Sequence, residues 1–120
     1  MRKIETQMNM AIKSQKNWSS GNTQVITDNG FSRVFLHGNH IANVFDDVVN
    51  GDYKKVVQLF DGGWQSNTTK SRLNALLFEF ATGFSVFQKN WEWFVSDFQN
   101  TVVDFTDGVT VNNNGCFVKL

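Results

Sequence analysis

The chain has 120 residues, 41% of them hydrophobic, enough for one compact domain with a core and too few for two. Its 11 basic and 11 acidic side chains cancel, so the broad positive field that holds duplex nucleic acid is missing. The single cysteine, Cys116, excludes an internal disulfide and a cysteine-based zinc site and suits a reducing cytoplasm.

From Arg2 to Lys16 the apolar residues Ile4, Met8, Ala11 and Ile12 recur at helical spacing, predicting an amphipathic helix that 17–22, with Gly21, brings to an end. Residues 23–27 and 31–37 read as strands around Asp28-Asn29-Gly30, a strong hairpin signal. His37-Gly38-Asn39-His40 reads as a second turn, 41–45 as a third strand, Asn50-Gly51 as a turn, and 53–60 as a fourth strand. After Gly62-Gly63, Leu73, Leu76, Leu77, Phe80 and Phe84 form the apolar stripe of a second helix that starts near Thr69 and stops near Gly83. Residues 86–95 read as one extended run, with Phe87, Lys89, Trp91, Trp93 and Val95 on one side. Residues 101–105 and 109–111 flank Thr106-Asp107-Gly108 as a last hairpin, before a loose tail from about 112. The expected architecture is α+β: a single domain over 1–120, with an antiparallel sheet, an N-terminal helix, a second helix after the fourth strand and a C-terminal β-hairpin. No stretch approaches about 18 uninterrupted apolar residues, and Met1 to Ile12 has no cleavage-like site, so neither a membrane span nor a secretory leader is expected.

Little in the chain is arranged for proton transfer or covalent chemistry. His37 and His40 lack a carboxylate or further ligands nearby in sequence. Asp46, Asp47 and Asp52 lack the spacing of a calcium loop, and Cys116 beside Lys119 has no obvious group to lower its pKa. No catalytic set, metal or cofactor is expected. The richest segment is 64–74. A helix starting near Thr69 places Lys70, Ser71 and Asn74 on one side with the free N–H groups of its first turn, and Thr68 or Thr69 can cap it. Trp64 can lie over a purine ring while Asn74 contacts ribose or base and the helix start holds phosphate. The competing reading makes Trp64 a core anchor, Thr68 and Thr69 ordinary caps, and Asn74 a wet flank. Phe87, Trp91 and Trp93 raise a further alternative, a single-stranded nucleic-acid or protein-binding module, although only Lys89 supplies charge along that path.

The segments His37-Gly38-Asn39-His40-Ile41-Ala42, Gly63-Trp64, 68–77 and 87–93 together resemble the phage anti-Thoeris sponge family. The resemblance implies an oligomer, dimer or hexamer, that works in the host bacterial cytoplasm without being an enzyme. Its members bind intact the cyclic ADP-ribose isomer that a Thoeris sensor makes, and some also hold cyclic di- or trinucleotides. Carried over by position, the stacking aromatic falls on Trp64 and the polar contact on Asn74. Arginine holds the pyrophosphate in that family. Here the corresponding regions offer Asn39 and His40 early and Gln88 and Lys89 late, so Lys89 stands in as a point charge, with Arg33 and Arg72 as further candidates.

Overall fold

The computed structural model describes residues 1–49 and 51–118; Asn50 of the expected Asn50-Gly51 turn, and Lys119, lie outside them. The architecture is α+β, as expected, and the described residues form helices α1 (Lys3–Lys13) and α2 (Asn67–Phe80) and ten strands. These are β1 (Trp18–Ser20), β2 (Thr23–Asp28), β3 (Phe31–Leu36), β4 (Asn39–Val49), β5 (Asp52–Leu59), β6 (Ser85–Lys89), β7 (Glu92–Ser96), β8 (Val102–Asp104), β9 (Val109–Asn112) and β10 (Phe117–Val118). Seven form an antiparallel sheet in the order β1-β2-β3-β4-β5-β9-β10, and β6-β7-β8 form a second, smaller one.

Register sorts the large sheet into two faces. Val25, Val34, Ala42 and Leu59 lie in line across β2 to β5, and Val57 pairs with Val111. These residues are buried in one cluster with Met8 and Ile12 of α1, Leu73, Leu76 and Leu77 of α2, and Val86, Trp93 and Val95 of the small sheet. Both helices and the small sheet therefore cover the same face. A bulge between Val34 and Phe35 shifts the pairing of β3 with β4 so that Ile41 joins Ala42 in this core.

Several details differ from the sequence expectation, each for a local reason. The stretch expected only to end α1 contains β1, which pairs with β2, so α2 follows the fifth strand. The Asp28-Asn29-Gly30 hairpin forms as expected, with φ of 50° at Asn29 and 81° at Gly30. The extended run over 86–95 is instead a second two-residue hairpin, since Asn90 and Trp91 adopt φ of 52° and 68° between β6 and β7. The expected pairing of 101–105 with 109–111 does not form. β8 extends the small sheet beside β7, whereas β9 crosses to the large sheet beside β5. The expected loose tail includes β10, which pairs with β9.

One buried charged cluster ties α1 to α2 and β2. Arg72, 3% exposed, donates from Nη1 to Glu5 Oε2 at 2.8 Å, from Nε to Thr23 Oγ1 at 3.0 Å and from Nη2 to Asn22 Oδ1 at 3.3 Å. Ser71 Oγ donates to the same Glu5 oxygen at 2.6 Å, and the Arg2 amide donates to Glu5 Oε1 at 3.1 Å. Burial pushes the Glu5 carboxyl upward, but the hydrogen bonds from Ser71, the Arg2 amide and Arg72, with the Arg72 charge, outweigh it and hold the pKa below the usual carboxylate range.

Candidate binding cleft

The chain leaves β5 through Asp61-Gly62-Gly63 and enters α2 through Trp64-Gln65-Ser66. The Asp61 carboxylate organises this loop: Oδ1 accepts from the Gly63 amide at 2.7 Å and Oδ2 from Gln65 Nε2 at 3.4 Å. Gly62 has φ of 71°, and a Cβ there would meet Ile41 Cγ2 at 3.1 Å and Asn39 Cβ at 3.2 Å. Glycine thus lets the loop lie directly against the start of β4.

α2 starts two residues earlier than the sequence suggested. Its N-cap is Ser66, whose Oγ accepts from the Thr69 amide at 3.0 Å; this replaces the expected capping by Thr68 or Thr69. Thr69 is buried, and its hydroxyl donates to the Trp64 carbonyl at 3.4 Å, which fixes the backbone of Trp64. The amides of Asn67 and Thr68 make no hydrogen bond among the described residues. Such first-turn groups carry the positive end of the helix dipole.

Between these elements lies a cleft of about 430 Å³ lined by Leu36, His37, Asn39, Ile41, Asp61, Gly62, Trp64, Ser66, Thr68 and Thr69, within the size range of small-molecule sites. Trp64, 76% exposed, stands at its margin with its ring available. The competing expectation of a core anchor does not describe it. Four of the expected site residues meet here: Trp64, Thr68, Thr69 and Asn39.

The others are placed elsewhere. Asn74 was expected to share a side with the helix start, but its amide clamps the backbone of β6: Oδ1 accepts from the Val86 amide at 2.7 Å and Nδ2 donates to the Val86 carbonyl at 2.9 Å. Asn74 and Ser71 line a separate depression with Met1, Glu5, Ala75 and Phe78. Lys70 is half-buried and does not line the Trp64 cleft. Arg72 is committed to Glu5. Arg33 lies on the sheet face away from the helices, 5.3 Å above the Phe31 ring. Gln88 and Lys89 are exposed at the end of β6 and do not line the cleft. Trp93 is 4% exposed and packs edge-to-face on Phe105, Phe87 stacks on Phe94, and Trp91 is 90% exposed at the hairpin tip, so these aromatics form no single track.

Sequence reasoning missed Asp61, the charged group that lines the cleft. Its position directly before Gly62-Gly63 is the signal that could have found it, because an Asx turn needs a short acceptor side chain there. His40 also has a defined role outside the cleft: Nε2 faces two acceptors, Ala42 O at 3.0 Å and Asn43 Oδ1 at 2.6 Å, so that nitrogen carries a hydrogen.

A model of the Kyanoviridae Gp96 protein family matches residues 1–112. The chain belongs to this phage protein family. No curated protein and no solved structure matches the chain. Among the described residues no helix is long and apolar enough to cross a membrane, and no group of three His, Cys, Asp or Glu residues is placed to share a metal ion.

Proposed function

We propose that this protein is a phage anti-defence sponge that holds a cyclic ADP-ribose-type signal in the Trp64 cleft and does not degrade it. The observation that carries the reading is the pairing of an exposed tryptophan with an unpaired helix N-terminus across one cleft of ligand size. Trp64 stacks on the base. The Asp61 carboxylate accepts from ribose hydroxyls, and the Thr68 amide and hydroxyl face the phosphates. Asn39 contributes an amide from the opposite wall. Asn74 drops out of this assignment because both ends of its amide are engaged by Val86.

Sequestration needs tight binding with slow release, and no group at the cleft is paired with another in a nucleophile–base arrangement that would turn the ligand over. The setting is the host cytoplasm, where such signals act. A single-stranded nucleic-acid module along 87–95 is the weaker reading, since Trp93 is in the core and Phe87 and Trp91 point to different surroundings.

Thermal denaturation with each cyclic ADP-ribose isomer, and separately with cyclic di- and trinucleotides, tests the proposal. A ligand at about 100 times its dissociation constant stabilises the native state by about 2.7 kcal/mol, and Trp64→Ala removes that rise. An unchanged melting temperature with every one of these compounds at saturation refutes the reading.

A further inference from the structure

Among the described residues the large sheet ends at β1, which pairs with β2 alone. A turn at Gly21-Asn22, with φ of 54° at Gly21, closes this hairpin on the Ser20–Thr23 pair. In a two-residue hairpin the closing pair is hydrogen-bonded and bonding alternates along the ladder, so Trp18 and Ser20 turn their main-chain groups to β2. Ser19 turns its own outward, and its amide and carbonyl make no hydrogen bond among the described residues. The small sheet treats the same situation differently. On its β6 edge the amide and carbonyl of Val86 are both taken by the Asn74 side chain, which stands where a neighbouring strand would.

The open edge is hollowed on both faces. Along β1, Trp18 lies on the helix side with Val25, and Ser19 lies on the outer side with Gln24. On the helix side a groove of about 580 Å³ runs between α1 and β1, with Met10, Ala11 and Trp18 as its apolar lining. Met10 is 60% exposed there. Lys16 lines the same groove where the chain enters β1, and makes no ion pair among the described residues. On the outer side Gln24 and Ile26 line a depression of about 340 Å³. The two hollows share Asn17, Trp18 and Ser19, so they lie back to back across one strand edge. An added strand sends successive side chains to opposite faces, and so fills both in alternation while its main chain meets Ser19. A helix or a small molecule would fill only one.

We propose that β1 is a docking edge for an extended segment of a different protein, which adds as an antiparallel strand. Its apolar side chains point toward α1, its small polar ones toward Gln24 and Ile26, and a carboxylate lies beside Lys16. Main-chain bonds to Ser19 fix the register, and the two hollows select the alternate side chains. No residue of either hollow lines the Trp64 cleft, so strand addition and signal capture are tested apart.

The probe is a synthetic, end-capped peptide of about seven residues, with leucine at the first, third and fifth positions, threonine at the even ones and aspartate last. Paired antiparallel with its central threonine opposite Ser19, it sets the aspartate opposite Lys16. Titrated into isotopically labelled protein up to about 1 mM, the limit of weak specific binding, it should shift the Trp18, Ser19 and Ser20 amide resonances saturably. N-methylation of the central threonine removes the donor that faces Ser19 and should weaken binding at least about tenfold. Ser19→Pro removes the opposing donor and should weaken it as much, read at the Trp18 and Ser20 amides. That variant is expected to fold, because an edge strand tolerates proline where its N–H faces solvent. Circular dichroism checks this, and the N-methylated peptide decides the matter if the variant is unfolded. No shift along β1 at the highest concentration overturns the proposal. So does equal binding of the N-methylated peptide, or sedimentation showing that the peptide only displaces a second copy of the chain from this edge.

Discussion

Replacing Arg72 with methionine removes three donors and leaves Glu5, 2% exposed, as a buried carboxylate held only by Ser71 and the Arg2 amide. Breaking a buried pair by deleting one member costs about 3–5 kcal/mol, most of it from the charge left behind. For a domain of this size that is a fall of roughly 10–20 °C in melting temperature. Urea denaturation followed by circular dichroism measures the loss, and the double variant Glu5→Leu/Arg72→Met separates its origins. With both charges gone, the double variant should be more stable than Arg72→Met alone by about 2 kcal/mol. The pH dependence gives a further check. The folded Glu5 carboxyl is depressed, so its contribution is present above the ordinary carboxylate pKa of about 4.3 and is lost as pH falls through the lower folded value. The stability advantage of the native sequence over the double variant should therefore shrink in acid. A loss under about 1 kcal/mol for Arg72→Met, or a double variant as unstable as the sum of its parts, refutes the reasoning.

Other substitutions probe the loop, the clamp and the hairpin tip. Trp91→Gly should stabilise the protein by about 0.5–1 kcal/mol, measured by thermal melting, because it relieves a left-handed backbone at a side chain that is 90% exposed. Asn74→Ala should cost about 2 kcal/mol by orphaning the Val86 amide and carbonyl, yet leave ligand affinity of the folded protein unchanged by calorimetry. Gly62→Ala should lose about 1–2 kcal/mol and weaken binding together, since its new methyl group displaces the Ile41 and Asn39 walls at a positive φ.

How far the sequence could be read follows the range of the interactions. The Asp28-Asn29-Gly30 hairpin and the apolar stripe of α2 are local signals, and both formed. Asn90-Trp91 makes the same kind of turn as Asn29-Gly30, but tryptophan carries no turn signature, so the strand was read straight through it. The Asp107-Gly108 turn was visible, whereas the crossing from the small sheet to the large one depends on which edge strand is free, and no neighbouring residue encodes that. In the cleft, Trp64, Thr68 and Thr69 lie within one turn or loop and were legible together. Asn74 and Arg72 were misplaced because their partners, Val86 and Glu5, lie 12 and 67 residues away. The start of α2 lies earlier than expected because Ser66, whose hydroxyl reaches the amide three residues on at Thr69, competes equally well as a cap.

The central claim is capture of an intact ligand at Trp64. Purified protein mixed with a cyclic ADP-ribose isomer, freed of unbound ligand and then heat-denatured, should release the unaltered compound in stoichiometric amount. Trp64→Ala, which alters a side chain 76% exposed and should change stability by less than about 0.5 kcal/mol, should capture none. Recovery of a cleaved product, or no depletion of any isomer by the native protein, contradicts the account.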